Sequence, residues 1–430
     1  QGCSIMITRE RMPYRGGNWN NTSNAGLGAL NFNNDRTNAN SNIGFRPALD
    51  NARNTDLTGL CQCNFEKDAA SSAIAETLNK PVDASTGCIF SEIVSYDNIL
   101  NSAYQCRKGK ANSPATLNFF NSLEENVITL YNELNWGTYE LSNYHHFYVF
   151  EPKRRLISAP NFRDRVVHRA IFNIIEPLFD KTFIHHSYAC RSNKGAHKGA
   201  DVAQRQIQQI ERKHGVVYAL KADISKYFSS VDHEILKRLL SNKIKCEMTL
   251  TLLHYIIDAS PSDSPGVGMP LGNLTSQIFA NVYLHELDWF AKHTLKIKNY
   301  IRYMDDFVVM HHCKRYLHAQ RVAMQNFLQS DLRLKTNNKT QVFPIAKKGG
   351  RPLDFLGYRI YSTHRLLRKS SVKSIKGKLK KFHRQYAAGQ INLPEINQSI
   401  QSWLGHASHA SSYNLRKKLL TPAFKRGNYV

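Results

Sequence analysis

The Tyr-Met-Asp-Asp tetrapeptide at 303–306 constrains the fold of this chain most strongly. An apolar residue, Ile301, precedes it, and the apolar run 307–310 follows it. Such flanks around a polar tetrapeptide predict two short strands joined by a tight turn, with two acids at its tip. Adjacent carboxylates repel each other unless a cation lies between them. On its own, the tetrapeptide is therefore either part of a metal site or a pair of solvated acids in a turn.

A second acidic position strengthens the metal interpretation. The apolar run 216–224 predicts a strand that delivers Asp223 near its end. Asp223 lies so far from Asp305 in sequence that only the tertiary fold can bring the two together. Mg²⁺ prefers oxygen ligands and completes its shell with waters and substrate phosphates. Two Mg²⁺ ions about 4 Å apart would activate an attacking hydroxyl and stabilise a leaving pyrophosphate, which is nucleotidyl transfer.

Four further segments follow the order and spacing of known polymerase motifs. They cover 154–165, 187–195 (SYACRSNKG), 268–277 (GMPLGNLTSQ) and 353–358 (LDFLGY). With the acids, they make the chain resemble the reverse transcriptases over roughly residues 90–425. The resemblance implies an α+β right-hand polymerase with fingers, a palm built on a small antiparallel sheet, and an α-helical thumb. The implied boundaries are 91–215 for the N-terminal extension and fingers, 216–362 for the palm and 363–430 for the thumb.

The resemblance also implies a role for individual residues. Asp223, Asp305 and Asp306 would bind two Mg²⁺ ions, with the backbone carbonyl of Ile224 as a further ligand. Lys339 would protonate or stabilise the departing pyrophosphate, with Lys335 as a nearby rival. Nucleotide binding is implied for Arg154, Arg163, Arg165, Tyr227, Phe228, Leu271, Gly272 and Gln277. Template or primer contact is implied for Arg191, Lys194, Tyr303, Met304, Leu356 and Gly357.

Several of these assignments leave alternatives open. Phe228, five positions after Asp223, resembles the aromatic residue that excludes a ribose 2′-hydroxyl, but Tyr227 is a rival and either could be a core residue. Any one of the basic residues could be a solvated surface charge. Gly272 is expected to let the template or nucleotide approach the backbone closely. Arg302 is expected to offset the negative charge of the hairpin tip, whereas Asp232 and His233 are expected to be structural.

One departure from the general pattern narrows the resemblance. Leu271-Gly272, followed by Ser276-Gln277, replaces the Gln-Gly and Ser-Pro pairs of most prokaryotic reverse transcriptases. This pattern is similar to that of diversity-generating retroelements, whose enzymes copy a template-repeat RNA into cDNA with misincorporation opposite adenine. A Leu cannot make the hydrogen bond that a Gln would offer the nucleotide, and such a bond contributes on the order of 1 kcal/mol. Plain packing is the alternative role for Leu271.

The N-terminal segment 1–56 supplies a second pointer to that class. It contains twelve asparagines between Asn18 and Asn54, a bias usually associated with disorder. The segment resembles the end of the lectin-like domain that these retroelements diversify, so we expect a translated template repeat without a fold of its own. A genuine accessory module is the alternative. Residues 57–90 are expected to be a linker, and the lack of an initiating Met suggests a reading frame extended upstream or cut at its start.

Composition points to a nucleic-acid partner. Lys and Arg outnumber Asp and Glu by 58 to 33, for a net charge of +25, which favours phosphate backbones by counterion release. No apolar stretch approaches the roughly 18 residues of a membrane span, and no signal-peptide pattern is present, so no membrane partner is expected. The scattered cysteines are expected to be free thiols in a reducing cytoplasm.

The resemblance also implies partners. These are template-repeat RNA, a cDNA/RNA hybrid, dNTPs and a small basic pentameric accessory protein, in a cytoplasmic enzyme of bacterial, archaeal or phage origin. Two alternatives remain. The chain could be a group II intron-like or retron-like reverse transcriptase of ordinary fidelity, or a non-catalytic RNA-binding scaffold.

Overall fold

The computed structural model describes residues 88–150, 154–262 and 264–421. The asparagine-rich tract 1–56 and residues 57–87 of the expected linker 57–90 lie outside the described residues.

A group of helices surrounds one long central helix in the N-terminal part. The helices are α1 (Ile89–Ile93), α2 (Tyr96–Arg107), α3 (Pro114–Asn121), α4 (Leu123–Trp136) and the central α5 (Phe162–Asp180). Ser95 caps α2 by accepting a hydrogen bond from the Asn98 amide, and Ser113 caps α3 in front of a proline at its first position, as helix starts favour. Most residues in the first half of α5 are buried, so this helix organises the region.

Between α4 and α5, strands β1 (His145–Val149) and β2 (Arg155–Ala159) form an antiparallel hairpin. The apolar segments 147–150 and 155–158, separated by the basic stretch 151–154, predict two strands at nearly the same positions. Helix α6 (Ala196–His214) follows α5 and ends at Gly215, whose left-handed conformation (φ 73°) terminates the helix.

The centre of the molecule is a four-stranded antiparallel sheet. Its strands are β3 (Tyr218–Asp223), β4 (Tyr300–Tyr303), β5 (Asp306–His311) and β6 (Gln341–Pro344), in the order β4-β5-β3-β6. Helices α7 (His233–Lys243), α8 (Glu247–Ala259), α9 (Leu274–Trp289) and α10 (Lys314–Ser330) accompany it. The spacing of apolar residues in the sequence predicts helices at 276–290 and 317–334. The observed helices α9 and α10 both begin earlier.

Both faces of this sheet are buried, in two separate apolar cores. Leu220, Phe307 and Val309 face the core shared with α1–α5 and α7–α10. Their neighbours Ala219 and Val308 face a second core, shared with α6 and the C-terminal elements. Successive side chains of a strand point to opposite faces, so burial on both sides requires the continuous apolar runs seen in the sequence.

The C-terminal part begins with a small three-stranded sheet and ends in helices. Strands β7 (Leu353–Phe355), β8 (Tyr358–Ile360) and β9 (Arg365–Leu367) pair in that order. Helices α11 (Lys369–Ala387), α12 (Leu393–Ala407) and α13 (Tyr413–Leu420) follow. Asn392 and Glu395 form a reciprocal capping box at the start of α12.

The cysteines differ from expectation in one respect. Cys88, just before α1, forms a disulfide with Cys246, the N-cap of α8. The prediction of free thiols is wrong for this pair, because the fold brings together two positions separated by 158 residues. Among the described residues, Cys106, Cys190 and Cys313 are free. No helix in the described ranges is long and apolar enough to cross a membrane.

Candidate active site

The central sheet brings the three predicted acids together. Asp223, the last residue of β3, is the register partner of Asp306, the first residue of β5. Asp305 immediately precedes Asp306 in the turn between β4 and β5, and the Ile224 amide donates to its carbonyl at 3.2 Å. The convergence that the sequence predicted is therefore present.

The environment of these carboxylates opposes their ionisation. Burial raises the pKa of Asp305, and the charges of Asp223 and Asp306 raise it further. Burial also raises the pKa of Asp306 to about 6, although the nearby Lys221 lowers it. Neighbouring acids in a partly desolvated site repel one another, so the site favours either protons or cations.

Two polar side chains that the sequence analysis did not single out contact the acids. The Lys221 Nζ lies 3.2 Å from the Asp306 Oδ2 and donates to the Asp354 carbonyl at 2.6 Å. The Asn337 side-chain amide donates to the Asp223 Oδ2. The backbone amide of Asn337 donates to the Asp223 backbone carbonyl at 2.8 Å. Lys221 could have been noticed as the one charged residue in the apolar run 216–222, whereas Asn337 is recognisable only from the tertiary fold.

The donor set fits a divalent cation. It consists of carboxylate oxygens, the hard ligands that Mg²⁺ prefers, and the buried Asp306 Oδ1 has no hydrogen-bond partner among the described residues. Within those residues, no three His, Cys, Asp or Glu side chains are already arranged as a metal cluster. Lys221 and Asn337 each contact one carboxylate oxygen of the acids.

The two aromatic residues after Asp223 have different environments. Tyr227 is buried and its hydroxyl donates to the Ala280 carbonyl at 2.6 Å. Its predicted nucleotide contact is wrong, because the side chain belongs to the core. Phe228, on the same 3-10 turn (Tyr227–Ser230), is only partly buried. Phe228 is therefore the remaining candidate for contact with the sugar.

The glycine-rich segment is fixed by the β1–β2 hairpin. The Ser158 amide of β2 donates to the Leu271 carbonyl at 2.9 Å. Gly272 has a φ of 138°, and a Cβ there would lie 2.4 Å from the Ser158 carbonyl oxygen. Protein backbone therefore occupies the space that a Cβ would take, while Gly272 itself is exposed, so the approach of a nucleic acid or nucleotide to it stays a prediction. The Leu271 and Gln277 side chains are partly exposed.

The predicted basic contacts differ in their availability. Arg191 is buried and donates to Asp180 and to the carbonyls of Ile184, Ser187 and Asp180. Its predicted template contact is wrong, because every guanidinium nitrogen is engaged within the protein. Lys194 donates to the His185 carbonyl at 2.9 Å at the surface.

The three arginines predicted to bind the nucleotide differ in their exposure and in their contacts. Arg154 is exposed and its guanidinium lies 4.0 Å from the Tyr148 ring centroid. Arg163 forms an ion pair with Glu133, which restricts its availability to a nucleotide. Arg165 is partly buried with its guanidinium over the Phe162 ring.

The other predicted residues lie on the β4–β5 hairpin and in the segment around Asn337. Met304 occupies the hairpin tip with a positive φ of 54°, and Tyr303 is the register partner of Asp306. Lys339 is exposed, and its amide donates to the Asn337 side chain at 2.9 Å. Lys335 is also exposed, and its carbonyl accepts from the Ser225 amide at 2.8 Å.

Leu356 and Gly357 form the turn between β7 and β8. Leu356 is buried and packs closely on Gly199 of α6. Its predicted primer contact is corrected, because the side chain faces the protein interior.

Arg302 also departs from expectation. It is fully buried and forms an ion pair with Asp288 on α9, in which the Arg302 Nη2 lies 2.7 Å from the Asp288 Oδ2. Its charge is thus neutralised by Asp288 rather than directed at the hairpin acids. Asp232 and His233 are structural, as expected: the Asp232 side chain caps α7, and the His233 Nε2 lies 2.7 Å from the Gly268 carbonyl.

The segment that carries the acids is similar to known proteins. Residues 151–360 match the family model described as "Reverse transcriptase (RNA-dependent DNA polymerase)". Protein YkfC of Escherichia coli (strain K12) is 26% identical over 256 residues, which cover 51% of this chain and 65% of YkfC. The group II intron-encoded protein LtrA of Lactococcus lactis subsp. cremoris is 25% identical over 206 residues, which cover 46% of this chain and 33% of LtrA. The chain therefore spans between a third and two thirds of these relatives.

Solved structures give weaker similarities. Apo telomerase from Candida Tropicalis has a TM-score of 0.42 and 13% identity, over 65% of this chain and 58% of that one. Telomerase from Candida albicans, in complex with a fragment of telomeric RNA, has a TM-score of 0.41 and 11% identity, over 66% and 55% of the two chains.

The predicted fold class is confirmed: the chain is an α+β protein with the right-hand polymerase architecture. The acids converge at the ends of β3 and β5, and both strands lie inside the segment that the family model matches. Residues 151–360 of this chain match the reverse transcriptase family over the segment that carries all three acids.

Proposed function

We propose that this protein synthesises DNA on an RNA template. The observation that carries the proposal is the register pairing of Asp223 with Asp306, beside Asp305, within a reverse transcriptase domain. Asp223, Asp305 and Asp306 would hold divalent cations, which would supply activation of the primer hydroxyl and positive charge for the leaving pyrophosphate. We propose Mg²⁺ as the ion, because the ligands are carboxylate oxygens.

Other residues of this protein hold the catalytic carboxylates and would orient the incoming nucleotide. Asn337 fixes the Asp223 carboxylate, and Lys221 fixes that of Asp306. The partly exposed Phe228 would exclude a ribose 2′-hydroxyl by steric contact, which favours deoxynucleotides. Lys339 is exposed in the loop that also carries Asn337, which is a suitable position for contact with the triphosphate.

Helix α11 is suited to hold the template–primer duplex. Its apolar residues Ile375 and Leu379 are buried, whereas most of its cations are exposed. The exposed cations are Lys369, Lys373, Lys376, Lys380, Lys381 and Arg384. A row of cations on one side of a helix binds a phosphate backbone without reading sequence.

The narrower proposal is that the template is a template-repeat RNA, copied with misincorporation opposite adenine. Leu271 supports it, because the side chain is partly exposed while its carbonyl is fixed by Ser158. A small basic pentameric accessory protein is the expected partner. The second candidate is a group II intron-like enzyme of ordinary fidelity, which the similarity to LtrA favours.

Primer extension by the full chain on an RNA template tests the activity. Asp305→Asn/Asp306→Asn should abolish extension, because the cation ligands are lost, while RNA binding persists. Glu234→Gln is the matched control, because this acid is 82% exposed and lies on α7, outside the strands that carry the three acids. Extension by the double variant would rule out the assigned active site.

The misincorporation rate separates the two candidates. We expect the parent to misincorporate more often opposite adenine than opposite other bases. Leu271→Gln should reduce that rate roughly five- to tenfold, because it restores one hydrogen bond of about 1 kcal/mol. Leu271→Met is the control, because it keeps an apolar side chain. Equal error rates at all four template bases would favour the intron-like enzyme.

A further inference from the structure

The catalytic hairpin contains a turn that its sequence does not favour. Tyr303 pairs with Asp306, so Met304 and Asp305 are the only residues of the turn. Met304 has a φ of 54°, a left-handed conformation that glycine adopts readily and other L-residues do not. Glycine and asparagine are the usual residues at such positions in two-residue turns. Something outside the turn must therefore hold it.

Both carbonyls of the turn are held from outside. The Arg302 Nη1 donates to the Met304 carbonyl at 3.1 Å, and the Ile224 amide donates to the Asp305 carbonyl at 3.2 Å. The second bond comes from the chain just after β3 and ties the turn to Asp223. The first comes from a side chain whose own position is fixed.

Arg302 is held by three further bonds. Its Nε and Nη2 donate to the two Asp288 carboxylate oxygens, each at 2.7 Å. Its Nη1 also donates to the Asn281 Oδ1 at 3.2 Å. Tyr300 adds a hydrogen bond to Asp288 at 2.8 Å, and both charged residues are fully buried. The guanidinium fork therefore has one fixed orientation, with one N–H directed at the turn.

Structural stability alone does not explain this arrangement. Apolar residues of similar volume often replace a buried ion pair without loss of stability. An apolar pair, however, could not donate to the Met304 carbonyl. The planar guanidinium can bind a carboxylate with two nitrogens and still direct the third elsewhere, which a lysine cannot do.

We propose that Arg302, oriented by Asp288 and Asn281, is a positioning residue that holds the Met304–Asp305 turn so that Asp305 and Asp306 face the divalent cations. The inference rests on the proposed function of the same site. Neither Arg302 nor Asp288 contacts the acids in the described structure; they act through the backbone of the turn.

The test uses Asp288→Leu/Arg302→Met in the full chain, which removes both charges together. Mn²⁺ is the probe, and its binding is measured from the signal of the free ion by electron paramagnetic resonance. We expect Mn²⁺ affinity to fall about tenfold or more, as for other groups that orient metal ligands. We expect kcat for single-nucleotide addition to fall by up to about a hundredfold, while KM for the primer–template stays within twofold.

A second substitution separates positioning from core packing. Adding Met304→Gly to the double variant lets the turn adopt its conformation without help. We expect this triple variant to recover most of the lost Mn²⁺ affinity. A defect that came only from core packing would not respond to a change at the turn.

Parent-like Mn²⁺ affinity in the double variant would overturn the proposal, as would a triple variant that recovers nothing. If the double variant does not fold, Arg302→Lys replaces it, because lysine keeps the charge opposite Asp288 but lacks the fork. Parent-like Mn²⁺ affinity in Arg302→Lys would then overturn the proposal. A parent that binds Mn²⁺ but does not extend primers would instead refute the proposed function.

Discussion

Asp306 is the single residue whose environment makes the clearest prediction about pH. Burial raises the pKa of its carboxyl to about 6 in the folded protein, compared with about 3.9 in an unfolded chain. The folded state therefore binds the proton more tightly. The stability from this group is complete below the unfolded pKa of about 4, and it is lost as pH rises through about 6.

We expect Asp306→Asn, studied without divalent metal, to be more stable than the parent at pH 8 by about 1–2 kcal/mol. The variant loses the contact with Lys221, which limits its gain in the free energy of unfolding. The difference in that free energy between variant and parent should narrow at pH 5, where the Asp306 carboxyl of the parent is mostly protonated. Urea unfolding at both pH values measures it. A difference that does not change with pH would show that the raised pKa of Asp306 is not its cause.

Residue types alone revealed the acids but not the side chains that hold them. Adjacent aspartates between apolar strands are visible in one segment of sequence. Lys221, Asn337 and Asp288 act through partners 14 to 133 positions away, so their roles depend on tertiary packing. For the same reason the sequence predicts a template or primer contact for Arg191 and an interaction with the hairpin acids for Arg302. The partners of both arginines lie in the protein interior.

At the scale of single elements, helix α11 makes the most direct prediction. Log affinity falls as log salt rises, and we expect Lys373→Gln/Lys376→Gln/Lys380→Gln to make that slope less steep by about 2. Each lost phosphate contact removes about 0.7–0.9 from the magnitude of the slope. Binding to an RNA–DNA hybrid, measured by fluorescence anisotropy between 50 and 300 mM salt (about the range over which such slopes are linear), gives this slope.

Lys245→Gln is the matched control for this prediction, because Lys245 is an exposed lysine outside α11. An unchanged slope in the triple variant would place the duplex on another surface.

Elements differed in how well the sequence predicted them. The strands β1 to β5 coincide with apolar runs bounded by turn residues. Their predicted positions are therefore close to the observed ones. Helix α10 begins earlier than predicted, because its first residues, Lys314 and Arg315, are polar and lie outside its apolar stripe. Helix α9 also begins earlier, at the buried Leu274. Strands β7 to β9 have three residues each, which is too short for an alternating pattern to be recognised.

At the scale of the whole molecule, the disulfide between Cys88 and Cys246 links the first described helix to the helices behind the sheet. A bridge that closes so long a loop restricts the unfolded chain and stabilises the folded one by about 2–4 kcal/mol. We therefore expect Cys88→Ser/Cys246→Ser to lower the free energy of unfolding by that amount, measured in the absence of reductant.

Cys313→Ser is the control, because Cys313 is a free thiol. Adding a reductant should remove the difference between the parent and the double variant. Equal stability of the two proteins without reductant would show that the bridge does not form in solution.

The contact between Gly272 and the Ser158 carbonyl limits how this enzyme can evolve. Any larger residue at 272 would force β2 away from the loop, so that codon has essentially one acceptable outcome. The Leu271 side chain has no such restriction, although its backbone is held in place. A library randomised at codon 271 alone should therefore sample nucleotide selectivity while leaving the scaffold unchanged, whereas one randomised at both codons would yield mostly inactive clones.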